Sequence, residues 1–361
     1  MARTLTKHLT LLALLASGCA QDAAQDDETS LDGEGQVAEG ETDFEQQAAI
    51  EDWFPWLRRD GGFPWPTRDA GPTVDAGTPS DAGPAPTDGG GPKTCSNTLT
   101  PGDKRISINV GGLNRSYILH VPRSYNGSKA VPLLLDLHPM LFGTGQSQRN
   151  SSGYAAISDR EGFLVAYPDG VGGAFSTAWN LGPCCTQSRT VDDYGFMLAI
   201  VEKTKREGCV DDKRVYAAGY SNGGGLSHYL ACKHADVFAA VSPAAFDLIQ
   251  EVDCKPSRPI SVISFRGTSD AIVPYNGGRS TPPTPWRLNP INFLGAQKTF
   301  QKWAQLNGCT GTPTSAGKAG CVTYPQCNAG VEVTLCTAQG GGHVTGDAEF
   351  GWSRLKQHTL P

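Results

Sequence analysis

The chain has 361 residues, with 36 Asp and Glu, 30 Lys and Arg, and 11 cysteines. The net charge of −6 comes from the front: residues 1–94 carry 17 acids and 6 bases, and residues 95–361 carry 19 acids and 24 bases. The second part lacks the clustered Lys and Arg of a nucleic-acid binder, and no Cys-x-x-Cys or His-x-x-x-His spacing points to a metal.

Arg3, Lys7 and His8 precede the apolar run "LTLLALLA" (Leu9–Ala16), which is too short to span a bilayer as a mature helix. "LASGC" then ends at Cys19, as in a bacterial lipobox, although Ala16 stands where leucine is commonest. Residues 1–19 are therefore expected to be a lipoprotein signal with Cys19 as the lipidated residue, so the membrane would be touched only through the lipid. The location this implies is the cell envelope, at the outer membrane, or the outside of the cell. An ordinary signal peptide cut near Ala20 is the alternative.

Residues 20–52 hold 12 acids and no Lys or Arg, a composition that repels itself and buries little. An aromatic patch, Trp53–Pro66, interrupts this stretch, and Pro/Gly-rich "DAG" repeats follow to residue 94. Residues 20–94 read as an extended tether.

Residues 95–361 alternate strand-like and helix-like segments. Strands are expected at Arg105–Val110, Arg115–Pro122, Val131–His138, Gly162–Pro168 and Arg214–Gly219, then in "VFAAVSP", "PISVISFRG" and "VEVTLCT". The continuous apolar runs suit buried parallel strands. Asp192–Glu207 reads as a helix with Tyr194, Met197, Leu198 and Val201 facing inward, and Gly224–His234 as another. The pattern predicts an α/β fold of one domain, with a mostly parallel central sheet and helices on both faces. Ten cysteines follow Cys19, an even number that in an exported chain predicts five disulfides.

Ser221 lies in Gly219-Tyr220-Ser221-Asn222-Gly223, between a predicted strand and a predicted helix. A nucleophile elbow needs that setting, because small neighbours allow a sharp turn that exposes the hydroxyl. The first helical amide, on Asn222, would face a developing oxyanion. In this architecture the acid and then the base follow the serine along the chain. Asp270, on the loop after the strand ending at Gly267, is the expected acid; Asp247 and Asp253 are expected on the surface. His343, in a glycine-rich loop after the last strand, is the expected base. His228 and His234 are expected on a helix surface and His358 in solvent. A second oxyanion amide should follow "LLLDLH". Pro139 has no N–H, so Met140 is expected, with Leu141 second; His138 should pack beneath the loop.

The stretches "LHPMLFG", "REGFLVAYPDG", "AWNLGPCC", "VDDYGFM", "RVYAAGYSNGGG", "DVFAAVSPAAF", "FRGTSDAIVPY", "WAQLNGC" and "GGGHVTGD" cover nearly the whole domain in order. They resemble the secreted esterases that include polyhydroxybutyrate depolymerases and feruloyl or acetylxylan esterases, on the α/β-hydrolase fold. The resemblance implies Ser221 as nucleophile, Asp270 as orienter, His343 as base and a Cys309–Cys327 disulfide. It also implies that no cofactor or metal is needed. Where the family has His-Gly and a Trp-Pro shortly after the histidine, this chain has His138-Pro139 and Thr345-Gly346. Trp179 in "AWN" is an aromatic candidate for lining the substrate cleft, or for packing. The function implied is a monomeric, extracytoplasmic serine carboxylesterase acting on an ester-bearing polymer or its fragments. A tethered binding module on the same fold and a serine peptidase are the alternatives.

Overall fold

The computed structural model describes residues 98–361, apart from 142, 174–175, 187–188 and 281–290. These belong to one compact unit, Asp88–Pro361. The signal segment, Cys19, the tether, the Trp53–Pro66 patch and Cys95 lie outside the described residues.

The strands are β1 (Gly102–Val110), β2 (Leu113–Val121), β3 (Val131–Leu137), β4 (Leu164–Pro168), β5 (Val171–Gly173), β6 (Ser176–Ala178), β7 (Val210–Tyr220), β8 (Ala240–Ala244), β9 (Ser261–Gly267), β10 (Gly278–Arg279), β11 (Asn292–Phe293), β12 (Thr314–Ser315), β13 (Cys321–Tyr324) and β14 (Val333–Ala338). The helices are α1 (Gly145–Ser151), α2 (Tyr154–Glu161), α3 (Asp193–Glu207), α4 (Asn222–Lys233), α5 (Ala296–Leu306) and α6 (Ala348–Leu355).

The main sheet runs β1-β2-β4-β3-β7-β8-β9-β14-β13-β12. Its centre, from β4 to β14, is parallel, and antiparallel strands flank it on each side. Every residue of β4, β8 and β9 is buried, as strands covered on both faces require. Edge strand β1 instead alternates exposed and half-buried positions. Pro132 sits where the β3–β7 register shifts, a place in a central strand that tolerates a missing N–H.

Helix α3 begins at Asp192, whose carboxylate accepts the Gly195 amide at 2.8 Å, and ends with Lys205 and Arg206 in its last turn. Its fully buried stripe is Phe196, Met197, Ile200 and Val201, while Tyr194 and Leu198 are only half-buried. The buried face is thus turned from the expected one, and the Arg115 guanidinium lies 4.1 Å above the ring of Phe196 within it.

Helix α4 is buried from Asn222 to Cys232, so the expectation of a surface helix is corrected. Helix α5 covers it: the Trp303 indole N–H donates to His228 Nδ1 at 3.1 Å, and His228 has no exposed surface. His234, at the end of α4, is half-buried.

The described cysteines pair as Cys184–Cys185, Cys232–Cys254, Cys309–Cys327 and Cys321–Cys336, and Cys209 is also disulfide-bonded. Cys309–Cys327 is the pairing the family resemblance implies. Cys321–Cys336 joins directly opposed positions of β13 and β14. Among the described residues, no helix is long and apolar enough to cross a membrane.

Candidate active site

Four loops at the carboxyl ends of β3, β7, β9 and β14 converge, the end of a parallel sheet where ligands bind. Ser221 stands between β7 and α4 with φ 55° and ψ −121°. A residue other than glycine pays a steric cost at positive φ, and it persists only where the surroundings force it. Two backbone bonds hold the turn: the Ser221 amide donates to Ala244 O at 2.9 Å, and Ser221 O accepts from the Gly225 amide at 2.9 Å. The flanking glycines are there for close approach. A Cβ on Gly219 would stand 2.5 Å from the Gly223 carbonyl, and one on Gly223 would collide with the Leu137 and His138 carbonyls.

His343 reaches Ser221 from the loop after β14. Its Nε2 is 2.8 Å from Ser221 Oγ, and its Nδ1 is 2.9 Å from Asp270 Oδ2. The other Asp270 oxygen accepts the Ile272 and Val273 amides, each at 2.9 Å. With Nδ1–H donated to the carboxylate, Nε2 is left to accept the serine proton. Burial alone would raise the Asp270 carboxyl; the hydrogen bond and charge of His343, with the two amides, outweigh it and hold the group below its ordinary value. The two loops are laced together. Ser269 N–H donates to Gly341 O at 2.8 Å, Gly340 N–H to Thr268 Oγ at 2.8 Å, and Tyr220 OH to His343 O at 2.8 Å.

On the other side of the serine, the Leu141 amide is occupied by Thr177 O at 3.1 Å. The Met140 and Asn222 amides make no such bond among the described residues, which leaves both able to donate. Leu141, not Pro139, takes the positive φ of this loop, at 61°; the proline in place of the family's glycine is thus accommodated. His138 is fully buried under the loop, as expected. Its Nδ1–H donates to Pro139 O at 2.7 Å and its Nε2 accepts the Gly170 amide at 2.8 Å. Burial pushes it down to about 4, so the ring is neutral.

Trp179 does not line a cleft, because it has no exposed surface. Its indole N–H donates to His138 O at 2.8 Å, and the Asn222 side chain clamps its backbone, accepting from Trp179 N at 2.7 Å and donating to Trp179 O at 3.2 Å. It ties the Met140 loop to the start of α4. Trp179→Phe is expected to lower kcat on p-nitrophenyl acetate by about tenfold, or about 1.4 kcal/mol, with KM nearly unchanged. A substrate-lining role would raise KM instead.

Other expectations are corrected. Asp247 is 1% exposed and ion-paired with Arg266, whereas Asp253 is on the surface beside Lys255. His358 is not solvated: it contacts Glu332 at 3.1 Å, and its carbonyl accepts Tyr216 OH. Arg266 had a sequence signal, a lone charge ending an otherwise uncharged strand, "SVISFRG". Among the described residues, no group of three His, Cys, Asp or Glu could hold a metal.

The sequence model for the prolyl oligopeptidase family matches residues 150–256. Feruloyl esterase B of Piromyces equi is 44% identical over 253 residues, covering 68% of this chain and 46% of that protein. A bifunctional acetylxylan esterase/xylanase of Neocallimastix patriciarum is 26% identical over 246 residues, covering 67% of this chain and 33% of that protein. The chain thus spans less than half the length of either relative. The acetyl xylan esterase of Aspergillus awamori superposes with a TM-score of 0.52 at 14% identity, over 71% of this chain and 99% of its own, a likeness of fold.

Proposed function

We propose that the chain, whose fold is that of the α/β-hydrolases, is a serine carboxylesterase acting on feruloyl or acetyl esters of a polysaccharide. The observation that carries this reading is the hydrogen-bonded chain Ser221–His343–Asp270 on a strained turn. Ser221 Oγ attacks the ester carbonyl while His343 Nε2 takes its proton. The Met140 and Asn222 amides hold the oxyanion. His343 then returns the proton to the departing alkoxide, leaving an acyl-enzyme. Water, deprotonated by the same imidazole, releases the acid and restores Ser221.

Feruloyl esters come first, because the Piromyces feruloyl esterase is far more similar to this chain than the Neocallimastix enzyme. Peptide hydrolysis is the second reading, favoured by the prolyl oligopeptidase match, which spans the elbow. The disulfides suit an oxidising compartment, and export with Cys19 lipidated and residues 20–94 as a tether to a domain at 95–361 remains our reading of the front of the chain.

The test is a panel of feruloylated arabinoxylan oligosaccharides, acetylated xylan, hydroxybutyrate oligomers and a prolyl peptide anilide. Ferulate release at the highest kcat/KM is expected, with acetate next. Cleavage of the peptide or the hydroxybutyrate oligomer alone would overturn the substrate class.

A further inference from the structure

Arg266 closes β9 with no exposed surface. Its guanidinium donates to Val273 O at 2.6 Å and stands 3.6 Å from Asp270 Oδ2, the oxygen that holds His343. Its other terminal nitrogen pairs with Asp247 on the loop after β8. Burial raises the Asp247 carboxyl and the Arg266 guanidinium pulls it back down; the ion pair between them holds Asp247 as the carboxylate. The result is a line of charge, Asp247–Arg266–Asp270–His343, whose Asp247 and Arg266 members are almost wholly buried and so little screened by salt. Two further titratable groups face this line, and both are neutral. His228, from α4, is pushed down to about 3 by burial, and Tyr220, from β7, is raised by burial.

An esterase of this kind needs only the carboxylate behind its histidine. A permanent cation beside that carboxylate opposes protonation of the imidazole, and a second carboxylate behind the cation offsets it. We propose that Asp247 and Arg266 are positioning residues that set, through Asp270, how readily His343 takes up a proton. This rests on the reading of Ser221, His343 and Asp270 given above.

Two variants of the full chain move the balance in opposite senses. Asp247→Asn keeps the shape but leaves the Arg266 charge unopposed, so His343 protonates less readily. The acid limb of the pH profile of kcat/KM on p-nitrophenyl acetate is expected to move down by about half a unit. The double variant Asp247→Asn with Arg266→Met removes both charges, the nearer being the cation, so the limb is expected to move up by about as much. Replacing a buried ion pair whole with neutral groups is well tolerated, so the double variant carries the test if the single one fails to fold. A purely structural role would lower the plateau and leave the limb in place. An unmoved limb, or two shifts in one direction, overturns the proposal. A Ser221→Ala control that kept its rate would instead overturn the reading of the site.

Discussion

Ser221→Ala is expected to remove ester hydrolysis almost completely, by about a millionfold in kcat. Ser221 is 8% exposed, and its hydroxyl is hydrogen-bonded to His343 Nε2. Alanine therefore deletes the attacking atom and one hydrogen bond, and nothing that packs. The turn itself is held by the Ser221 backbone through Ala244 and Gly225, which the substitution leaves intact. The melting temperature should thus stay close to that of the parent while the rate on p-nitrophenyl acetate falls to background. A variant that kept the parental rate would show that the acyl group is carried elsewhere. It would also remove the ground for separating an enzyme from a binding module on this fold.

Asp270→Asn is expected to lower kcat by about ten-thousandfold with KM little changed. The reason lies in the two amides at the far oxygen. Ile272 and Val273 both donate to Asp270 Oδ1, so an asparagine must present its carbonyl oxygen there. Its NH₂ group then faces His343 Nδ1, which can only accept. The ring proton is driven to Nε2, where it points at Ser221 Oγ, and the base is lost. Steady-state kinetics measure the fall in kcat. A loss of less than tenfold would mean that His343 keeps its working tautomer without the carboxylate.

The strand-turn-helix around Ser221 was legible because every part of it is local. The second half of strand β7, Val215–Gly219, is uncharged and buried, the glycines sit at fixed offsets from the serine, and α4 starts at the next residue. The chain order of Asp270 and His343 follows from the same architecture once the strands are placed. The amphipathic helix α5 also carried a stripe, Phe300, Trp303 and Ala304, from which it could be found. The α1 segment, "GQSQRNS", has no apolar residue to mark it; its Thr144–Ser147 capping box starts it.

The sequence by itself determined the class of fold and the strand-turn-helix setting of Ser221, and its cysteine count pointed to disulfides, because periodicity, turn glycines and cysteine count are read directly along the chain. Only the tertiary structure decided what lies behind those residues. Trp179 reads equally as a substrate aromatic or as packing until its indole is found on His138 O, 41 positions away. Asp247 reads as a surface acid until β8 and β9 lie side by side and bring Arg266 against it. In both cases the role of a polar group depends on which partner satisfies it once water is excluded. That partner is set by strand order and loop convergence, which no spacing along a single chain records.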